Sequence, residues 1–151
     1  MTFTELANLV AARGLPYNPS ANLPRPNVYW GTIRTHDNRE FNDYVAAEHT
    51  KPALAQLVTM ATVALRRKLV KSNCMILLRR LTLGDLLDNP AAFEQALTNA
   101  QALGDHATAR VLERLPIELG EQLGVIHEHE GCDVLPLLKS SQNAPQRVLR
   151  H

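Results

Sequence analysis

Apolar residues in this chain recur mostly at the spacing of α-helices. Leu6, Leu9 and Val10 lie at i, i+3 and i+4, which predicts a short helix over 4–13 that ends at Gly14. A longer pattern predicts a central helix over 52–71, with the apolar stripe Leu54, Leu57, Val58, Ala61, Leu65 and Leu69. Because this stripe is broad, we expect this helix to be contacted on more than one side.

Start signals predict further helices. Asp37 is a plausible N-cap for a helix over 38–48, and Thr82 with Asp85 resembles a capping box. Pro90 and Asp105 fit the starts of two more helices, and Pro116 starts or kinks a last segment. These signals favour a helical second half.

Few stretches favour strands. The run VYWGTI at 28–33 is the best strand candidate because it is β-branched and aromatic, whereas CMILLRRL at 74–81 fits strand or helix. A short hairpin at 125–135 is an alternative to a loop there. The predicted fold class is therefore mostly α: about five to seven helices with at most a small β element, at 28–33 and at most also at 125–135.

We predict one globular helical domain over residues 1–138. It includes a proline-rich loop at 15–27, where four prolines disfavour regular structure. Residues 139–151 carry three basic and no acidic groups and predict a flexible basic C-terminal tail.

Composition indicates the cellular compartment and argues against a secreted disulfide scaffold and a membrane-spanning protein. Aromatics make up 5% of the chain and there are two cysteines, fewer than a small secreted disulfide scaffold carries. The most apolar window, 53–65, is shorter than the roughly 20 residues of a membrane span. We therefore expect a cytoplasmic protein with no membrane partner.

Charge is unevenly distributed, although the net charge is only +1. Residues 49–84 carry seven basic groups and no acid, and residues 85–133 carry ten acids and two bases. The two blocks either neutralise each other within the monomer or form separate patches, each of which meets a different partner or the opposite patch of a second copy. We favour partial internal neutralisation because consecutive elements usually lie adjacent.

The basic block is the main candidate binding site. Its bases could bind a nucleic acid or an acidic partner, or they could complement the negative end of a helix that terminates near residue 71. No aromatic residue lies between Tyr44 and Phe93 in the sequence, which argues against base stacking within the block. The candidate residues are Arg66, Arg67, Lys68, Lys71, Arg79 and Arg80.

The stretch IHEHEGCD offers weak metal ligands. His127 and His129 would point the same way on an extended strand, and Cys132 or Asp133 could add a third ligand. The second ligand pair of a strong zinc signal is missing, so we expect no metal and no cofactor. RTHDNRE at 34–40 is a weak acid–base candidate, and no nucleophile or phosphate-loop motif occurs, so we assign no catalytic residue.

The sequence favours a small non-enzymatic binding or regulatory protein. It would act through protein–protein contacts between charged helical surfaces, with another protein or a second copy of itself as partner. The alternatives are a nucleic-acid-associated protein that uses residues 66–80 and a metal-dependent enzyme at 127–133.

Overall fold

The computed structural model describes residues 1–126. The chain there forms five α-helices and three β-strands, with a 3₁₀ turn at Lys71–Asn73. The helices are α1 (Phe3–Ala12), α2 (Thr50–Leu65), α3 (Leu83–Asp88), α4 (Pro90–Ala102) and α5 (His106–Leu123). The strands are β1 (Asn27–Thr35), β2 (Glu40–Ala47) and β3 (Cys74–Arg80).

This architecture is mixed α/β, so the prediction of a mostly α fold was wrong. Helices take 52% and strands 21% of the described residues, and the strands form one antiparallel sheet in the order β2-β1-β3. Residues 28–33 are a strand as predicted, but they lie in the centre of a real sheet. The sheet arises because two stretches that were read as helical or ambiguous, 40–47 and 74–80, both pair with β1.

The chain folds into two compact units, each built from segments that are distant in the sequence. One comprises Met1–Pro24, Thr82–Glu94 and, among the described residues, 114–126. The other comprises Arg25–Leu81 and Gln95–Glu113. The prediction of a single domain over 1–138 stays a prediction.

In the first unit, α1 begins with a reciprocal capping box. The Glu5 N–H donates to the Thr2 hydroxyl at 3.0 Å, and the Thr2 N–H donates to the Glu5 carboxylate at 2.7 Å. The buried ring of Phe3 packs on Phe93 with centroids 5.4 Å apart. The loop before β1 is held against α3, because the Gly84 N–H donates to the Pro19 carbonyl.

In the second unit, α2 packs on one face of the sheet. Its fully buried Leu57 lies over Gly31 of β1, where a Cβ would come 2.5 Å from a Leu57 methyl. A side chain at position 31 would therefore hold the helix away from the sheet. The core of this contact is Tyr29, Ile33, Val45, Ala53, Leu57, Met60 and Ala61.

Two predicted boundaries around α2 were wrong. Residues 40–47 form β2 and not a helix, and Asp37 lies in the β1–β2 turn and does not cap a helix. Helix α2 ends at Leu65 and not near residue 71, because Arg66 adopts the left-handed conformation with φ of 55°.

Two of the helix starts predicted in the second half of the chain are confirmed. Thr82 and Asp85 form the predicted capping box, and the Asp105 carboxylate accepts the Thr108 N–H at the start of α5. Helix α5 continues through Pro116 without a break. Within residues 1–126, no helix is both long enough and apolar enough to cross a membrane.

Candidate functional site

The six predicted basic residues do not form one surface. Arg66 to Lys71 were expected in the last turn and a half of a helix, but they follow its end. The N–H groups of Arg66 and Arg67 donate back to the carbonyls of Val63 and Thr62 and so close the helix. Cations at this end complement the helix dipole, so part of the structural explanation still applies.

Arg67 has a structural role at the β1–β2 turn. Its guanidinium lies 2.8 Å from the Asp37 carboxylate, and the Thr35 hydroxyl also donates to Asp37. The Thr35 hydroxyl first, and then Arg67, hold the pKa of Asp37 well below its ordinary value. Arg39 donates to the Leu65 carbonyl at 3.3 Å. Asp37 therefore serves as an ion-pair partner in this turn, and the acid–base role considered for 34–40 gains no support.

Arg79 and Arg80 point to opposite faces of β3, since neighbouring residues of a strand alternate. Arg80 faces the α2 side and donates to the Asn27 side-chain oxygen at 2.7 Å. Arg79 lies on the other side, opposite Trp30 of β1. Only one of the two is therefore presented on the face that α2 leaves uncovered.

That uncovered face carries exposed apolar side chains. Met75 is 44% exposed and Leu77 is 58% exposed. They alternate along β3 with half-buried residues that face α2. We call this surface the open sheet face, and its residues are Trp30, Thr32 and Arg34 of β1 with Met75, Leu77 and Arg79 of β3.

The aromatic and charged groups of this face are anchored by β2. Trp30 meets Tyr44 edge-on, with ring centroids 5.3 Å apart. Arg34 pairs with Glu40 at 2.7 Å across the strands. Sequence reasoning missed this grouping because it searched for aromatic residues only between Tyr44 and Phe93. Pairing of β1 with β3 places Trp30, which comes much earlier in the sequence, opposite Arg79.

β3 is also an edge strand of this sheet. The Leu81 N–H donates to the Val28 carbonyl. Since backbone groups of successive residues point to opposite sides of a strand, this bond shows which residues of β3 direct their N–H and C=O groups toward β1. By that alternation, Met75, Leu77 and Arg79 direct their backbone groups toward β1, whereas Ile76 and Leu78 direct theirs outward. No residue from 1 to 126 extends the sheet beyond this edge.

A small pocket lies between the β1–β2 turn and residues 67–74. Its volume is about 60 Å³, and its lining includes His36, Arg67, Lys68 and Cys74. Pockets for organic ligands usually measure about 300–1,000 Å³. We therefore do not take this pocket as a substrate site.

Two buried carboxylates mark the interior of the same unit. Asp43 is 3% exposed and Asp105 is 6% exposed. Burial is the main cause that raises the pKa of Asp43, and the nearby charge of Asp105 adds to it. Asp105 accepts hydrogen bonds from Gln56 and from the Thr108 N–H through one oxygen. These contacts join α2 to α5, and the Ala46 N–H of β2 donates to the Thr108 hydroxyl at 3.2 Å, so the cluster has an architectural role.

The candidate metal ligands His127, His129, Cys132 and Asp133 lie outside the described residues, and that hypothesis stays untested. Among residues 1–126, no three histidine, cysteine or acidic side chains are placed to share a metal ion.

Comparison with protein-family models, with curated proteins and with solved structures finds no match to this chain.

Proposed function

We propose that this chain is a small, non-enzymatic protein-binding module with a regulatory or adaptor role, and that its partner contacts the open sheet face and the edge of β3. The observation that carries the proposal is the exposure of Met75 and Leu77 side by side on an edge strand. The sequence had indicated charged helical surfaces as the contact region. The sheet face is the better candidate because it combines apolar side chains with arginines.

The energetic reason lies in the exposed apolar area. Burying a leucine or methionine side chain fully contributes about 1.5–3 kcal/mol. Met75 and Leu77 release only about half of that on folding, because about half of each remains exposed. A partner that covers both would gain the remaining half. Binding surfaces typically place such apolar groups centrally and polar groups at the rim, and here Arg34 and Arg79 flank them.

Site-specific photocrosslinking in native cell extract tests the proposal. A photoreactive residue at Leu77 should give a discrete crosslinked protein, whereas the same residue at Val63 should not. Val63 is the matched control because it is 49% exposed and lies on α2, away from the open sheet face. Identical crosslinking patterns at both positions would refute the proposal.

A nucleic-acid partner is the second candidate, and one observation favours it. Trp30 lies opposite Arg79 and next but one to Arg34, so the open sheet face holds one stacking group between two cations. Arg34 is already paired with Glu40, and Arg67 of the basic block is paired with Asp37 away from this face, which weakens this candidate. Anisotropy of labelled single-stranded oligonucleotides near physiological salt discriminates. We expect only non-specific affinity, about 10⁻⁴ to 10⁻⁶ M.

A much tighter complex would promote the nucleic-acid candidate if it is lost in Arg34→Ala, Arg79→Ala protein. Lys51→Ala is the charge-matched control, since Lys51 is an exposed base at the start of α2. Loss of binding in both proteins would indicate a general charge effect.

We place this function in the cytoplasm. The low cysteine content supports that location, as does the free thiol of Cys74. Fractionation of cells that express the untagged protein tests it, and recovery from a secreted or membrane fraction would contradict it.

A further inference from the structure

The small pocket beside the β1–β2 turn gathers positive charge. Its walls include the side chains of His36, Arg67 and Lys68, and none of the described residues that line it is acidic. Most of the lining comes from residues 49–84, a stretch that holds seven bases and no acid. A concave site lined by one sign of charge concentrates ions of the opposite sign. The pocket therefore attracts anions, whatever partner the open sheet face binds.

The one carboxylate close to this pocket is already engaged. Asp37 pairs with Arg67 at 2.8 Å and accepts the Thr35 hydroxyl. Within residues 1–126, no acidic side chain pairs with His36 or Lys68. Lys68 therefore leaves the pocket with a positive charge that no carboxylate neutralises, and the imidazole of His36 adds an N–H donor.

Backbone donors accompany this charge. The N–H groups of Lys68, Leu69 and Val70 donate to no acceptor in the part of the chain that the structure describes, and all three residues line the pocket. The side-chain amide of Asn73 adds further N–H donors to the wall. Successive free N–H groups form anion-binding concavities in proteins, and hydrogen bonds to a charged oxygen are the stronger ones.

The negative end of α2 does not oppose an anion here. The carbonyls of Thr62, Val63 and Leu65 each accept a hydrogen bond from an arginine N–H. The macrodipole amounts to about half a negative charge at this end of the helix, and the charge of Lys68 alone offsets it. The balance of charge at the pocket therefore stays positive.

The volume of the pocket limits the ligand to a small ion. About 60 Å³ lies well below the roughly 300–1,000 Å³ of sites for organic ligands, so a nucleotide does not fit. We infer that this pocket binds a tetrahedral oxyanion of the size of phosphate, held by Lys68, by His36 and by the free N–H groups of 68–70. The oxyanion is either inorganic phosphate or the phosphoryl group of a side chain, because both present the same oxygens.

Cys74 in the pocket wall reports whether the pocket is occupied. In Cys132→Ser protein it is the only cysteine, and it is half-buried. Bound phosphate should cover the thiol and slow its alkylation by iodoacetamide, with a saturable dependence on phosphate concentration. Sodium chloride at matched ionic strength controls for screening. Equal alkylation rates in phosphate and in chloride would overturn the inference without relying on any charge variant.

Charge variants locate the site. Lys68→Ala should weaken phosphate binding about 1.4- to 5-fold, the effect of one partly exposed ion pair. Lys51→Ala should leave it unchanged, because Lys51 is an exposed base at the other end of α2. Equal weakening by both substitutions would indicate general attraction to the basic block and would overturn the assignment of the pocket.

Amide chemical shifts test the backbone donors and the source of the oxyanion. Phosphate should shift the signals of Lys68, Leu69 and Val70 more than those around Lys51, and equal shifts in both regions would contradict the inference. N-acetyl-O-phosphoserine amide is the second probe. Affinity equal to that of phosphate supports a free anion as the ligand, and tighter binding supports a phosphorylated side chain. If neither probe shifts the signals of 68–70, the pocket is not an oxyanion site.

Discussion

The contact between Gly31 and Leu57 makes a quantitative prediction about how α2 is held on the sheet. A Cβ at position 31 would lie 2.5 and 2.8 Å from the two Leu57 methyl carbons and 3.1 Å from its Cγ. Overpacking of this kind typically costs about 1–3 kcal/mol. Replacing glycine by alanine within a strand offsets part of that cost, by about 0.5–1 kcal/mol. Gly31→Ala should therefore destabilise the protein by at most about 2.5 kcal/mol.

The double variant isolates the steric part. Leu57→Ala alone should cost about 2–5 kcal/mol, because Leu57 is fully buried. It also removes all three atoms that the new Cβ would meet. In that background Gly31→Ala should be neutral or stabilising by about 0.5–1 kcal/mol. The coupling free energy should thus equal the overpacking cost, about 1–3 kcal/mol. Its sign should make the double variant more stable than the summed effects of the two single substitutions would give.

Urea unfolding measures all four proteins. Trp30 adjoins position 31 and is the only tryptophan of the chain, so its fluorescence reports this region directly. Far-ultraviolet circular dichroism provides an independent probe of two-state behaviour. Additive free energies, within about 0.3–0.5 kcal/mol, would refute the argument, because they would mean that Leu57 does not lie on Gly31.

Three further changes test other contacts. Leu65→Ala should cost clearly less unfolding free energy than Leu57→Ala in the same urea experiment, because Leu65 is only half-buried at the last residue of α2; equal costs would contradict the early helix end. Thr2→Ala should cost about 0.5–2 kcal/mol by removing the cap of α1, and an unchanged thermal midpoint would show that the Thr2–Glu5 box contributes nothing. Asp43→Asn tests the buried carboxyl. Burial raises the pKa of Asp43 above its ordinary 3.8, so its favourable contribution is present below that pH and is lost as pH rises through the folded-state pKa. The variant should therefore gain stability relative to wild type as pH rises above about 3.8, and a difference that is constant with pH would argue against this burial cost.

Local signals predicted the elements whose ends are fixed locally. The capping box at Thr82 and Asp85 and the cap at Asp105 could be read from residues three apart. The strand at 28–33 was visible because its run is β-branched and aromatic. These features need no knowledge of distant residues.

The errors arose where a distant partner decides the structure. Phe41, Tyr44 and Val45 fit one helix face, yet pairing with β1 selects an extended chain in which Phe41 and Val45 share one face of the sheet and Tyr44 lies on the other. The end of α2 could not be recognised from the sequence, because the residue that takes the left-handed conformation there is Arg66 and not a glycine. Leu69 continued the apolar stripe and so extended the predicted helix too far.

Only part of the candidate site could be predicted from the sequence, because a distant strand completes it. The sequence indicated Arg79 as a candidate binding residue, which stays a prediction, but it could not show that Trp30 lies opposite. It also grouped Arg79 with Arg67, whose charge is engaged by Asp37. The open sheet face exists only once β1 and β3 are paired, and nothing in the local pattern of residues 74–80 decides that pairing.

The central position of β1 has a consequence for the order of folding. β2 follows β1 after a short turn, so that hairpin needs little loop closure, whereas β3 pairs with β1 only after the whole of α2 has been spanned. Closing the longer loop costs more chain entropy, and we expect it to come late. Substitutions on β3 should then act mainly on the rate of unfolding and hardly on the rate of folding, in contrast to substitutions in the β1–β2 hairpin.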